Sequence, residues 1–136
     1  MNQLHIAAAC LLDESGRLLL VRKRATRAFM LPGGKLEPGE SPVTALLREL
    51  QEELHLQLDA AALSPLGHFR APAANEADTE IQAQIFVAPL SHAVAPAAEL
   101  EELRWHSPAS SDSDDLAPLL RLHVLPRLRE LTRGSA

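Results

Sequence analysis

The chain has 136 residues, enough for one domain with a buried core but short of two ordinary ones. Hydrophobic residues make up 46% of it and charged ones 23%, while the formal net charge of −5 argues against a broad basic surface for nucleic acid. Aromatic residues are 3% of the chain with no Tyr, which disfavours a stacking platform for single strands, and the lone cysteine, Cys10, excludes an internal disulfide and suits a reducing compartment.

The opening MNQLHIAAAC has no basic lead, and its apolar run is too short for a signal peptide or a membrane span. The chain therefore reads as soluble and cytoplasmic, with no membrane partner. Leu4–Leu12 and Arg17–Lys23 read as two strands joined at Asp13-Glu14-Ser15-Gly16, a hairpin, with Cys10 a buried small hydrophobe. Arg22, Lys23, Arg24 and Arg27 then concentrate positive charge, either as a solvated strand end or to attract phosphate, and Arg22 is the candidate contact among them. Phe29 faces either a bound base or the core. A Gly-Gly turn at Gly33-Gly34 leads to a helix that Ser41 caps and Pro42 starts, where a missing N–H costs nothing.

In that helix Val43, Leu46, Leu47, Leu50 and Leu54 recur at helical spacing and define a core face. Glu49, Glu52 and Glu53 fall within about 100° of arc beside it. Carboxylates so placed repel by roughly 0.2–0.5 kcal/mol per facing pair, which Arg48, four residues before Glu52, offsets in part. A hard cation such as Mg²⁺, which takes carboxylate oxygens and water, would relieve the rest. An acidic helix face by itself is more often just solvated surface.

Beyond the helix, Gln57–Arg70 contains a strand, Ala71–Asp78 is a loop, and Thr79–Leu90 alternates as a half-buried strand; the two strands pair as an antiparallel hairpin. Ser91–Ala98 is an Ala/Pro loop, and Leu100–His106 is a strand or a helical turn. Ser107–Asp115 is a polar loop, lacking the Gly and terminal Glu of a calcium loop. Leu116–Leu131 is helical, kinked or divided at Pro126. The fold class is α/β, with a mixed sheet between helices and one domain over residues 1–136.

The decisive pattern is spacing. Gly34 is followed after five residues by Glu40, then after seven by Arg48-Glu49-Leu50, then by Glu52-Glu53 and Leu56. This resembles the Nudix box, Gly-x5-Glu-x7-Arg-Glu-U-x-Glu-Glu-x-Gly-U with U aliphatic, over residues 34–56. Six fixed identities match, which chance would supply on the order of once in 10⁷ windows. One position departs: His55 stands where the box has its last Gly. A residue there closes the helix in the left-handed conformation, so His55 should strain the helix end by roughly 1–2 kcal/mol rather than remove chemistry. A P-loop is not formed, because Gly33-Gly34-Lys35 does not satisfy Gly-x4-Gly-Lys-[Ser/Thr].

The resemblance implies the Nudix fold, an α/β/α sandwich, and hydrolysis of a nucleoside diphosphate linked to another moiety with Mg²⁺ or Mn²⁺. It assigns the metal to Glu49, Glu52 and Glu53 with a backbone carbonyl at Gly33 or Gly34, makes Arg48 the orienter of a ligand carboxylate and Glu40 its partner, and lets Lys35 reach a phosphate. The general base stays open between Glu49 and Glu52 in the box and Glu76, Glu80, Glu99, Glu101 and Glu102 outside it. The substrate stays open too: a nucleoside triphosphate is favoured, ADP-ribose and dinucleoside polyphosphates are alternatives, and a catalytically silent nucleotide-binding module is the rival class. The Leu-rich C-terminal helix serves either the core or a homodimer interface.

Overall fold

The computed structural model describes residues 2–90, 93–110 and 113–134. Six strands form one sheet: β1 (Asn2–Leu12), β2 (Leu18–Lys23), β3 (Gly33–Lys35), β4 (Ser64–Pro72), β5 (Thr79–Pro89) and β6 (Leu100–His106). The order is β4-β5-β1-β2-β6, with β3 also pairing β1. β1 runs parallel to β5 along its whole length, Asn2 opposite Thr79 and Leu12 opposite Pro89, and every other pairing is antiparallel. The sheet is therefore mixed, as expected.

β1 explains the layering. Ala7, Ala9 and Leu11 pack on one face with Leu46, Leu50 and Leu54 of helix α1 (Pro42–Leu54). Ala8 and Cys10 pack on the other with Leu119, Leu120, Val124 and Leu128 of the C-terminal helical segment. A strand covered on both faces reads as a continuous apolar run rather than an alternation, which accounts for AAACLL. Burial pushes the Cys10 thiol up to about 12, so it packs as an inert hydrophobe.

The first hairpin closes through Asp13, whose Oδ1 accepts the N–H groups of Ser15 and Arg17 at 3.0 and 2.8 Å. The second hairpin, β4–β5, also forms, and Leu100–His106 is a strand rather than a helical turn. Gly33-Gly34 is corrected: the pair is not a turn but the start of β3, with Ala8 opposite Gly33 and Ala7 opposite Gly34. β1 offers its free edge there, and backbone pairing outweighs the turn preference of glycine.

The C-terminal helix is continuous through Pro126. A π-helical turn at Leu120–Val124, with the Leu125 N–H bonded to the Leu120 carbonyl, precedes α2 (Leu125–Gly134). The widened turn places Pro126 at the second residue of α2, where its missing N–H and its ring are accommodated. Leu116 lies before this helix, in a bridge to Phe29. Ser91 and His92 of one expected loop, and Ser111 and Asp112 of the other, fall outside the described residues. Among the described residues no helix is long and apolar enough to cross a membrane.

Candidate active site

α1 begins with the Ser41 side chain accepting the Thr44 N–H and ends at His55, whose φ of +52° and ψ of 33° are left-handed. The His55 N–H bonds back to Gln51 and the Leu56 N–H to Leu50, so the helix closes as it would with glycine. The two glycines of β3 are required by what approaches them. A Cβ on Gly33, whose φ is +147°, would lie 2.2 Å from the Ala7 carbonyl oxygen; one on Gly34 would lie 2.5 Å from Glu49 Cδ. At Gly33 the β1 backbone leaves room only for a hydrogen, while at Gly34 a Cβ would displace the Glu49 carboxylate.

Three carboxylates face this backbone in different states. Glu53 is 5% exposed, and its Oε1 accepts the Gly33 N–H at 3.0 Å. Burial pushes its carboxyl up to about 8; the Gly33 N–H and Lys23 oppose this, while the charges of Glu49 and Glu99 add to it. Burial also raises Glu49 above the usual carboxylate range, against the pull of Arg48 and with a further push from Glu52. Glu52 is the open member, with 54% of its side chain exposed and 3.7 Å from Arg48.

Arg48 is the joint of the network. Its Nε and Nη2 donate to the two oxygens of Glu40, each at 2.8 Å, and its Nη1 donates to Glu49 Oε1 at 2.9 Å. That fork is planar and bidentate, so it fixes orientation as well as charge. The same bonds, joined by the Glu37 N–H, hold the Glu40 carboxyl down at about 2 and lift the guanidinium well above its ordinary range.

In front of these groups lies a cavity of about 640 Å³, within the ordinary range for small-ligand sites. Gly33, Gly34, Lys35, Glu49, Glu52 and Glu53 line it, joined by Lys23, Arg24, Glu76, Glu99 and an aliphatic set from β1, β5 and the C-terminal segment. Arg48 and Glu40 stand behind Glu49 rather than in the lining, which suits orienting groups.

Two expected contacts are corrected. Phe29 is 2% exposed, lies in the core and carries the Arg104 guanidinium 3.7 Å from its ring, so it faces no ligand. Its backbone is held on both sides, Phe29 N–H to Asp115 and Ala117 N–H to Phe29, which turns the ring inward. Arg22 is not in the cavity lining either; it pairs with Glu101 at 3.4 Å and Glu102 at 3.0 Å and donates to the Thr26 carbonyl. Its neighbour Lys23 lines the cavity instead. Strand alternation sets Lys23 apart from Arg22, and a bulge between the two marks the change of register against β6.

Of the open candidates for general base outside the box, Glu76 and Glu99 reach the lining; Glu80, Glu101 and Glu102 do not. Glu76 lies 3.4 Å from Lys35 across the cavity mouth, and Glu99 lies 3.7 Å from Lys23. Arg27 lines a separate, smaller hollow with Asp114 and Asp115.

The lining fits a divalent cation on its donor chemistry. It holds five carboxylates against three cationic side chains, so a phosphate chain entering it would meet excess negative charge. Two of those carboxylates are already pushed upward, Glu53 by burial and the charges of Glu49 and Glu99, Glu49 by burial and the charge of Glu52. Among the described residues no three acidic, His or Cys groups form a ready-made cage. Mg²⁺ does not need one: it keeps several waters and binds through one or two carboxylates plus phosphate oxygens.

The family model described as the NUDIX domain matches residues 1–128. The 8-oxo-dGTP diphosphatase of Proteus vulgaris is 39% identical over 67 residues, 46% of this chain and 59% of that protein. The CTP pyrophosphohydrolase of Escherichia coli is 30% identical over 123 residues, covering 87% of this chain and 86% of that one. Among solved structures, a MutT protein from Methanosarcina mazei superposes with a TM-score of 0.77 over 98% of this chain and 96% of its own, at 21% identity, a likeness of fold. The matched stretches span between 45% and 65% of the length of three of the diphosphatase relatives.

Proposed function

This chain belongs to the Nudix family, and from that premise we propose that it is a pyrophosphohydrolase, one domain over residues 1–136, that cleaves a nucleoside diphosphate linked to another moiety and takes nucleoside triphosphates in preference. The observation that carries the reading is the convergence of Glu49, Glu52 and Glu53 with Lys23, Arg24 and Lys35 on one cavity, behind which Arg48 and Glu40 lock Glu49 in place. The preference for triphosphates draws on what the Proteus vulgaris and Escherichia coli relatives are named for.

Divalent cations, Mg²⁺ or Mn²⁺, would be held among Glu49, Glu52, Glu53 and a carbonyl of Gly33 or Gly34, each through one or two of the carboxylates with water and phosphate oxygens, and when bound would supply charge neutralisation and a water of lowered pKa. The rest is done by the chain. Lys23 and Arg24 draw the phosphates in, and Lys35 exchanges Glu76 for a phosphate oxygen. The Gly33 N–H aims one oxygen of Glu53, and Arg48 aims one of Glu49. A water attacks phosphorus, the P–O–P bond breaks, and two phosphorylated products leave. The proton of that water goes to a carboxylate, either Glu49 or Glu52 on α1 or Glu76 or Glu99 on the rim. A reducing, cytoplasmic setting fits the buried Cys10 thiol.

Hydrolysis of nucleoside triphosphates, an oxidised guanine nucleotide, ADP-ribose and a dinucleoside polyphosphate, each with Mg²⁺, with Mn²⁺ and with chelator, tests this directly. Cleavage of a nucleoside triphosphate that chelator abolishes is the expected result. Full turnover in chelator would exclude the metal assignment, and tight binding without hydrolysis of any member would turn the reading to a nucleotide-binding module.

A further inference from the structure

Besides the charged groups, the cavity is lined by Leu4, Ile6 and Ala8 of β1, Ile81 of β5, and Leu119 and Leu120 at the start of the C-terminal helix. Ile6, Ala8, Ile81, Leu119 and Leu120 belong to one packed cluster on this side of the sheet, and Leu4 lies directly opposite Ile81 in the β1–β5 register. All are aliphatic.

The sequence holds three Phe, one Trp and no Tyr, and each of those rings is committed elsewhere. Phe29 is in the core against Arg104, and Phe69 stacks on His123 at 5.7 Å. Phe86 packs on the α1 side of the sheet, and Trp105 lies under Arg17 at 5.4 Å. None lines the cavity, so no Phe, Tyr or Trp ring stacks on a base here. Two uncharged polar side chains are in the described lining. The Thr26 hydroxyl already donates to the Lys23 carbonyl at 2.8 Å. The other is the amide of Asn75, on the exposed loop between β4 and β5, the one of the two with a donor not spent on the Lys23 carbonyl.

From this wall, and resting on the hydrolase reading above, we infer that the chain recognises the base of its substrate by apolar contact, tolerates different bases, and takes what base preference it has from Asn75 at the rim. The physical ground is an asymmetry. A site that hydrogen-bonds a substrate group rejects the analogue lacking it by roughly 10⁴–10⁵, because its own buried polar groups are left unpaired; an apolar wall discriminates by about 10²-fold at most. An 8-oxo group added to guanine, or a purine exchanged for a pyrimidine, leaves no buried side-chain donor or acceptor of this wall unpaired.

The test measures kcat/KM for dGTP, 8-oxo-dGTP, dATP, CTP and dCTP with Mg²⁺ and, separately, Kd for their non-hydrolysable α,β-methylene analogues by calorimetry. Both series should span less than about 100-fold from best to worst. In Asn75→Ala the spread should narrow, by up to about 10-fold, while the value for the poorest base stays level. A single base preferred by about 10³-fold or more in Kd, or a spread unchanged in Asn75→Ala, would overturn the inference, as would failure of every analogue to bind. Binding of all analogues within the stated range together with no hydrolysis of any substrate would overturn the hydrolase reading alone and leave the base tolerance standing.

Discussion

The two helical walls of the cavity are held in different ways. α1 carries its own instructions. Ser41 caps it, Pro42 starts it, its apolar positions repeat toward the core, and Arg48 joins Glu40 and Glu49 within a span of ten residues. The wall formed by Leu119 and Leu120 has no side-chain cap at the π turn. It is positioned from outside, by the Phe29 backbone bonded to Asp115 and Ala117, and by Arg104 gripping both oxygens of Asp115 at 3.0 and 2.8 Å. The chemical wall is local and over-determined; the contact wall depends on partners from distant parts of the chain. Changes in the first should therefore remove turnover, and changes in the second should alter fit.

The largest expected effect is on the α1 wall. Glu53→Gln keeps an oxygen to accept the Gly33 N–H but loses the carboxylate, and should lower kcat by about 10³-fold or more, at a melting temperature within a few degrees of the parent. Activity within threefold of the parent would remove Glu53 from the metal set. The next effect is on the contact wall. Asp115→Ala strands a half-exposed Arg104 on the Phe29 ring and should cost about 1–2 kcal/mol in chemical denaturation. There KM should rise while kcat stays within a few-fold; an equal fall in kcat would mean that the two walls are not separable.

The remaining effect is on the pH dependence of stability, and it has opposite signs for the buried carboxylate and the arginine-paired ones. The Glu53 carboxyl is held at about 8 by burial, so the folded metal-free chain binds a proton that the unfolded chain releases above about 4.5. Its stability should fall as pH rises from about 4.5 through about 8, and Mg²⁺ or Glu53→Gln should flatten that slope. Asp115 and Glu40 are held down at about 2 by Arg104 and Arg48. Their contribution is full above about 4 to 4.5 and is lost as pH falls toward 2, so Asp115→Ala should weaken the acid transition. Thermal melts across pH, with and without chelator, read both slopes.

Much of this molecule was legible in its sequence because the signals were local. The spacing from Gly34 to Leu56 identified the family, the helix period defined the inner face of α1, and the turn residues of Asp13–Gly16 and the alternation of Thr79–Leu90 marked strands, the second of which runs Thr79–Pro89. Even the left-handed close at His55 follows from its place after the last helical residue. Tertiary structure decided what depends on a neighbour remote in the chain. β1 pairs with β5 across more than seventy residues, and its vacant edge turned Gly33-Gly34 from a turn into a strand. Phe29 was drawn into the core by a backbone bridge to Leu116. Lys23, rather than Arg22, reached the site because β6 supplied Glu101 and Glu102 to hold Arg22 away. The aliphatic wall has no motif, since Leu4, Ile81 and Leu120 acquire a common role only when three separate segments meet. Local spacing sets the chemistry because ligands on one helix turn are fixed by covalent geometry; fit is set by long-range packing, which no short stretch of sequence contains.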